Sequence, residues 1–388
     1  MIHPDQIANK PEDVGVDSER LEALFARAKR DVDEGILPSA QIAVARHGKL
    51  AAIRTFGNAV QGGREQPATD RTLYCIYSST KGIVSAAAWL LLEEDLLRLD
   101  EKVADIIPEF GTNEKENITV TQLFTHTGGF PYAPLGPDRW NDRDQRLDAF
   151  SRWRLNWEPG SRFEYHATSA HWVIAEIIER RTRTDFRNFI RQQLTGPMGL
   201  DELHLGLPPE LDGHVAEVRQ MVPPVPPPGG WGEVTPEALL LFNQPENRRV
   251  GVPGGGAIAG AAELALFYQP LINRGETVDG KRIMKAATIE RATAVLTEEH
   301  HKDPIMNVPV NRAVGVVIAG GDGKSHMRGF GRTCSPHAFG HGGAGGQIAF
   351  GDPKTGISVG YCTNGFADWM AVARRITAIA SLASVVND

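Results

Sequence analysis

Cysteine is scarce in this chain. Cys75, Cys334 and Cys362 are its three cysteines in 388 residues, too few and too scattered for a disulfide framework or a zinc site, and they read as free thiols. A basic surplus is missing as well: 41 Lys and Arg stand against 48 Asp and Glu, a formal net charge of −7, which argues against a general nucleic-acid binder. No apolar run approaches the roughly 18 residues that a membrane span requires, so no membrane partner is expected. The start, Met1-Ile2-His3-Pro4-Asp5, lacks the basic and then apolar pattern of a secretory signal, and cytoplasmic residence is the expectation. Internal repeats and low-complexity tails are absent too. What remains is an ordinary globular composition, 41% hydrophobic and 23% charged, long enough for a large core in two or three domains or in one domain with an insertion.

Periodicity orders the chain. Ser18 to Glu34 carries Leu21, Leu24, Phe25, Ala28 and Val32 at helical spacing behind a cap at Asp17 or Ser18. Ala40 to Val44 and Leu50 to Thr55 flank the turn Arg46-His47-Gly48-Lys49 and predict an antiparallel hairpin. Short helices are expected over 118–126, 170–182 and 186–194, with Gly- and Pro-rich loops from 127 to 160. Val222 to Trp231 is proline-rich and reads as a stiff surface connector, and at a pocket mouth Trp231 would line a substrate site. Gly251 to Gly256 loops into a helix over 261–273; strand-like runs follow at 314–319, 347–351 and 358–361, then a closing helix over 367–382. Strands at both ends with helices between predict an α+β fold, an antiparallel sheet flanked by helices with an all-helical insertion.

The chemistry centres on Ser78-Ser79-Thr80-Lys81. Ser78 and Lys81 are three residues apart at the start of an apolar run, Ile83 to Leu92, that reads as a core helix. Positions i and i+3 share a helix face, which brings hydroxyl and amine within hydrogen-bonding reach. Serine needs a neighbouring base to become a nucleophile, and a desolvated lysine can serve. The competing reading is a Ser or Thr cap on a core helix with an outward-reaching lysine. Cys75 would pack beside the nucleophile. Tyr165 precedes the buried helix at Ala170, placed to reach a cleft and act as a second proton carrier, or else to serve as a core aromatic. Gly340 to Gly346, around His341, exposes backbone N–H groups before a strand.

Several look-alike patterns fail on context. The glycines at 340–346 and at 254–256 do not sit between a strand and a helix as a dinucleotide fingerprint requires. Ser358 fits G-x-S-x-G but lies in a strand-like run with no later histidine. Lys354-Thr355-Gly356 is hairpin chemistry. His300 and His301 sit on a charged segment that reads as solvated surface, and His126 reads as a structural hydrogen-bonding group. No cofactor or metal is called for.

In order along the chain, Ser78-x-x-Lys81, Tyr165-x-Ala167 and His341-Gly342-Gly343, with Leu123 to Gly129, Trp157-Glu158-Pro159-Gly160 and Thr363-Asn364-Gly365, resemble the serine β-lactamase and penicillin-recognising superfamily. The branch is that of class C β-lactamases and β-lactamase-like carboxylesterases of the family VIII type, over roughly residues 15 to 385. The resemblance implies a sandwich domain of residues 1–75 and 248–388, a mainly helical domain of residues 76–247, and an active site at their interface. It implies Ser78 as the acylated nucleophile, Lys81 and Tyr165 exchanging its proton, an oxyanion hole from the N–H groups of Ser78 and Ala344, and substrate contacts at Ala167, His341, Gly342 and Gly343.

Two departures bear on substrate. Ala167 replaces an asparagine that contacts an acylamino side chain, and His341 replaces a lysine that is a permanent cation for a carboxylate, whereas histidine is mostly neutral at pH 7. Both favour an uncharged small-molecule ester of short to medium acyl chain. A β-lactamase, a D-Ala-D-Ala peptidase or an acyltransferase stands as the alternative, and the oligomeric state is open.

Overall fold

The computed structural model describes residues 2–226 and 235–387. The reading of Trp231 as a pocket residue therefore lies outside the described residues. The fold is α+β. Its main sheet has seven strands in the spatial order Arg64–Pro67, Lys49–Gln61, Ser39–Arg46, Ile357–Thr363, Ile348–Asp352, Phe339–Gly340 and Val317–Ile318, every neighbouring pair antiparallel. Ala43 stands opposite Ile53 on one side and Gly360 on the other, so the predicted hairpin is the join between the N-terminal and C-terminal strands.

Alternation along Ser39–Arg46 explains why this strand is buried on both faces. Ile42 and Val44 join Leu21, Leu24, Phe25, Val359 and Ile379 in one apolar cluster, under the helices Ser18–Asp33 and Trp369–Ala383. Ala43 and Ala45 join the other cluster, with Leu264 and Tyr268 of the helix Ala261–Ile272. The residues facing that helix are small because its backbone comes close: a Cβ on Gly360 would stand 2.0 Å from the Ala261 carbonyl oxygen.

The helix Thr80–Glu93 is buried on almost every side, as its composition predicts, and the Trp89 indole N–H donates to the Val314 carbonyl at 2.9 Å. A glycine at its first turn is explained by packing, since a Cβ on Gly82 would lie 2.6 Å from the Tyr268 hydroxyl. The capping residue of Ser18–Asp33 is Asp17, whose carboxylate accepts from the Arg20 N–H at 2.8 Å.

Three expectations are corrected. The strand expected at 314–319 is confined to Val317–Ile318, because Gly315 takes φ +74° to pass Ser85 and Phe124. Behind the glycines, Ala257–Ala259 is a strand, paired with Tyr74–Cys75 and His204–Leu205. His301 is buried, accepting from the Glu298 N–H through Nδ1 and pairing through Nε2 with the Gly160 carbonyl. It is a loop brace.

Lys354 to Gly356 is the turn between two sheet strands, and Ser358 is buried in the sheet, its hydroxyl donating to the Ala265 carbonyl at 2.6 Å. All three cysteines are free, and burial pushes the Cys75 thiol up to about 12. Among the described residues no helix is long and apolar enough to cross a membrane, and no group of three or more His, Cys, Asp or Glu is placed to hold a metal.

Candidate active site

The site begins where the strand Tyr74–Cys75 runs into a single tight turn, Tyr77–Ser79, and then into the helix Thr80–Glu93. Tyr77 has φ +46°, a conformation that costs a non-glycine residue energy and persists only where the surroundings enforce it. They do so through its ring, packed edge-on against Phe242 and Phe366, and its hydroxyl, which donates to the Leu239 carbonyl at 2.9 Å. The consequence is that Ser78 is presented at the N-terminal end of the helix, where backbone N–H groups have no intrahelical acceptor.

Lys81 is completely buried one turn on. Its Nζ donates to the Ala167 carbonyl at 2.6 Å, to the Gly254 carbonyl at 2.6 Å and to Ser78 Oγ at 3.3 Å. Three protons meet three neutral acceptors, and among the described residues no carboxylate forms an ion pair with it. An outward-reaching lysine is excluded. The glycines at 254–256 find their purpose here: a Cβ on Gly254 would stand 2.9 Å from the Ala167 oxygen, so only glycine lets these two carbonyls converge on one amine.

Tyr165 lies across from them. Its ring centroid is 4.9 Å from Lys81 Nζ, and its buried hydroxyl makes no hydrogen bond with the described residues. His126 packs against that ring at 4.6 Å between centroids, and its Nδ1 accepts from the His166 N–H at 3.2 Å, a structural role. Burial holds the His126, His171 and His341 imidazoles well below the usual histidine range, with the Arg312 charge adding to the effect at all three, and it holds His166 at about 3.

The glycine run supplies the opposite wall. A Cβ on Gly343 would fall 2.3 Å from the Ile76 carbonyl oxygen, so glycine there lets the loop sit against the Ser78 turn. The Ala344 N–H has no acceptor among the described residues. Behind the loop the fully buried Arg375 donates to the Gly345 carbonyl at 2.8 Å and pairs with Asp31 at 3.1 Å, bracing it from the closing helix.

These parts meet at a cavity of about 960 Å3. Ser78, Tyr165, Ala167, His341, Gly342 and Ala344 line it; Lys81 lies behind Ser78, and Gly343 is taken up in packing. Gly343 is the one of these loop residues whose packing against the Ile76 carbonyl only a glycine allows. Tyr77, Trp140, Leu239 and Phe242 also line the cavity; sequence reasoning assigned none of them, Tyr77 although it adjoins Ser78 and the other three because their segments carry no motif.

It missed Arg312 as well. This arginine donates to His341 Nε2 at 3.1 Å, its guanidinium lies over the Tyr165 ring at 5.4 Å, and it faces the cavity. A permanent cation thus stands beside His341, and the sequence reading, which weighed only the replacement of lysine by histidine at position 341, did not include it.

A fold of this kind, with a serine and a buried lysine one helical turn apart at the floor of a cavity, defines a β-lactamase-fold hydrolase. Residues 24–384 match the Beta-lactamase family model, and the chain belongs to that family. It is similar to the Esterase/beta-lactamase LipL of Mycobacterium tuberculosis (strain ATCC 25618 / H37Rv), 27% identical over 319 residues, which span 73% of this chain and 67% of LipL. Among solved structures, a penicillin-binding protein homolog from Caulobacter crescentus superposes with a TM-score of 0.80 at 26% identity, covering 95% of this chain and 99% of the other. A family VIII carboxylesterase superposes at 0.78 with 24% identity, covering 94% and 98%.

Proposed function

We propose that the protein is a serine carboxylesterase that cleaves esters of short to medium acyl chains through an acyl-enzyme on Ser78. The observation that carries this reading is the hydrogen bond between Ser78 Oγ and Lys81 Nζ at 3.3 Å, on the floor of a cavity with a largely apolar wall. In this reading Lys81 acts in its neutral amine form, taking the Ser78 proton as Oγ attacks the ester carbonyl, and Tyr165 relays a proton from it to the leaving alkoxide. The N–H groups of Ser78 and Ala344 hold the oxyanion, and water then releases the acid. Ser78, Lys81, Tyr165 and Ala167 come from the helical part of the chain, residues 76–247, and Arg312, His341 and Ala344 from the sheet-bearing part.

A second reading, a β-lactamase or D-Ala-D-Ala peptidase, is favoured by one observation, the cation Arg312 beside His341. Initial rates on p-nitrophenyl butyrate and on a chromogenic cephalosporin, for wild type and Ser78→Ala, separate the two. Ester turnover lost in the variant with little cephalosporin turnover supports the esterase. Dominant cephalosporin turnover supports the second reading, and ester turnover that survives Ser78→Ala removes Ser78 from the chemistry.

A further inference from the structure

We propose that Arg312 makes this cavity selective for substrates that carry a carboxylate, seated beside His341 while an apolar body packs along Trp140, Leu239 and Phe242. The inference rests on reading the cavity as the substrate pocket, and not on ester chemistry.

Two arginines line the cavity, and they differ in what neutralises them. Arg328 is paired side by side with Asp322 at 2.7 and 2.6 Å and donates further to the Ala319 and Pro309 carbonyls. Its charge is spent. Among the described residues Arg312 has one side-chain hydrogen bond, to His341 Nε2, and two aromatic faces, Phe163 at 5.5 Å and Tyr165 at 5.4 Å. Among the described residues no carboxylate lies within ion-pair distance, and Asp303 acts on it only from farther off. A guanidinium has five N–H donors in a planar fork that matches a carboxylate, so most of this one is unused.

Its neighbours leave the charge available. The His341 Nδ1–H donates to the Gly342 carbonyl at 2.8 Å, which makes Nε2 the acceptor from Arg312 and the ring neutral. The ammonium of Lys81 is occupied by Ala167, Gly254 and Ser78. Arg312 is also held in place, its N–H donating to Thr297 Oγ1 at 3.0 Å and its carbonyl accepting from Leu296 at 2.8 Å. Arg312 is half-buried at the cavity wall with no counter-ion among the described residues, and a substrate carboxylate would supply one on binding.

A competing role, tuning Tyr165 alone, would affect every substrate alike. The test measures binding to Ser78→Ala protein by calorimetry, with two matched pairs. Mono-p-nitrophenyl glutarate against p-nitrophenyl valerate places the carboxylate on the acyl side; 4-acetoxybenzoate against 4-methylphenyl acetate places it on the alcohol side. The charged member of at least one pair is expected to bind about tenfold tighter or more, with the preference falling below about twofold in Ser78→Ala/Arg312→Gln. Should that variant not fold, Arg312→Lys, which keeps charge but loses the fork, is expected to cut the preference at least about threefold.

No preference in either pair, no measurable binding, or a preference indifferent to the Arg312 substitutions would overturn the inference. Hydrolysis by wild type is read separately. A carboxylate preference without ester turnover would sink the esterase and leave Arg312 its role.

Discussion

The chain buries two lysines completely, Lys81 and Lys115, and holds them in nearly the same way. Lys115 Nζ donates to the Thr112 and Trp153 carbonyls at 2.6 Å each, with the Thr112 hydroxyl at 3.4 Å; Lys81 Nζ has two carbonyls at 2.6 Å and the Ser78 hydroxyl at 3.3 Å. Burial pushes the Lys115 ammonium down to about 8. By pKa alone Lys115 would pass for a general base. It does not line the Ser78 cavity, its hydroxyl partner is its own loop's threonine, and it cross-ties residues 112 and 153. A desolvated lysine becomes a site only where its third acceptor is a serine that a substrate can reach.

Substitution should split this pair. Lys81→Met is expected to lower kcat on p-nitrophenyl butyrate by about 10^3-fold or more, whereas Lys115→Met should leave the rate per folded molecule within about twofold. Both remove a donor from two buried carbonyls and should cost about 1–3 kcal/mol in urea titrations. Equal activity losses in the two variants would erase the distinction.

Tyr165→Phe sharpens it from the other side. The hydroxyl has no partner to lose among the described residues, so stability should stay within about 0.5 kcal/mol while kcat falls about 100-fold if it relays a proton. A stable variant of full activity would leave Tyr165 as packing. A smaller effect is expected of Arg375→Met, which removes the brace on the Gly345 carbonyl. It should lower kcat about tenfold with little change in KM, and a rise in KM alone would argue against a role at the oxyanion.

The mildest test is pH. His166, neutral in the fold with a value of about 3, would titrate near 6.5 when unfolded. Below 6.5 the unfolded chain therefore binds more protons, and stability falls as pH falls. Between pH 6.5 and 5 the loss from His166 alone is about 2 kcal/mol, readable as a drop in the urea midpoint; a flat midpoint would mean this imidazole is not buried neutral.

The contact between Ser78 and Lys81 was legible because an i, i+3 pair before an apolar run is local information. So were the hairpin and the first helix, whose periods match their burial. Arg312 was not legible: it meets His341 across 29 positions, and its segment, read as leading into a strand, carries no period or motif. Gly254 was visible as a glycine but not as the carbonyl that accepts from Lys81, since its reason lies in the chain at Ala167. His301 looked solvated among charges, and only its partner at Gly160 shows otherwise. Residues whose role is set by distant contacts leave no local trace.

The most direct test of the central claim is to treat wild type and Ser78→Ala with a fluorophosphonate and locate the adduct by peptide mass mapping. The account predicts one adduct, on Ser78, formed slowly or not at all in Lys81→Met and at the wild-type rate in Lys115→Met. Labelling that persists in Ser78→Ala, or an unlabelled wild type, would contradict it.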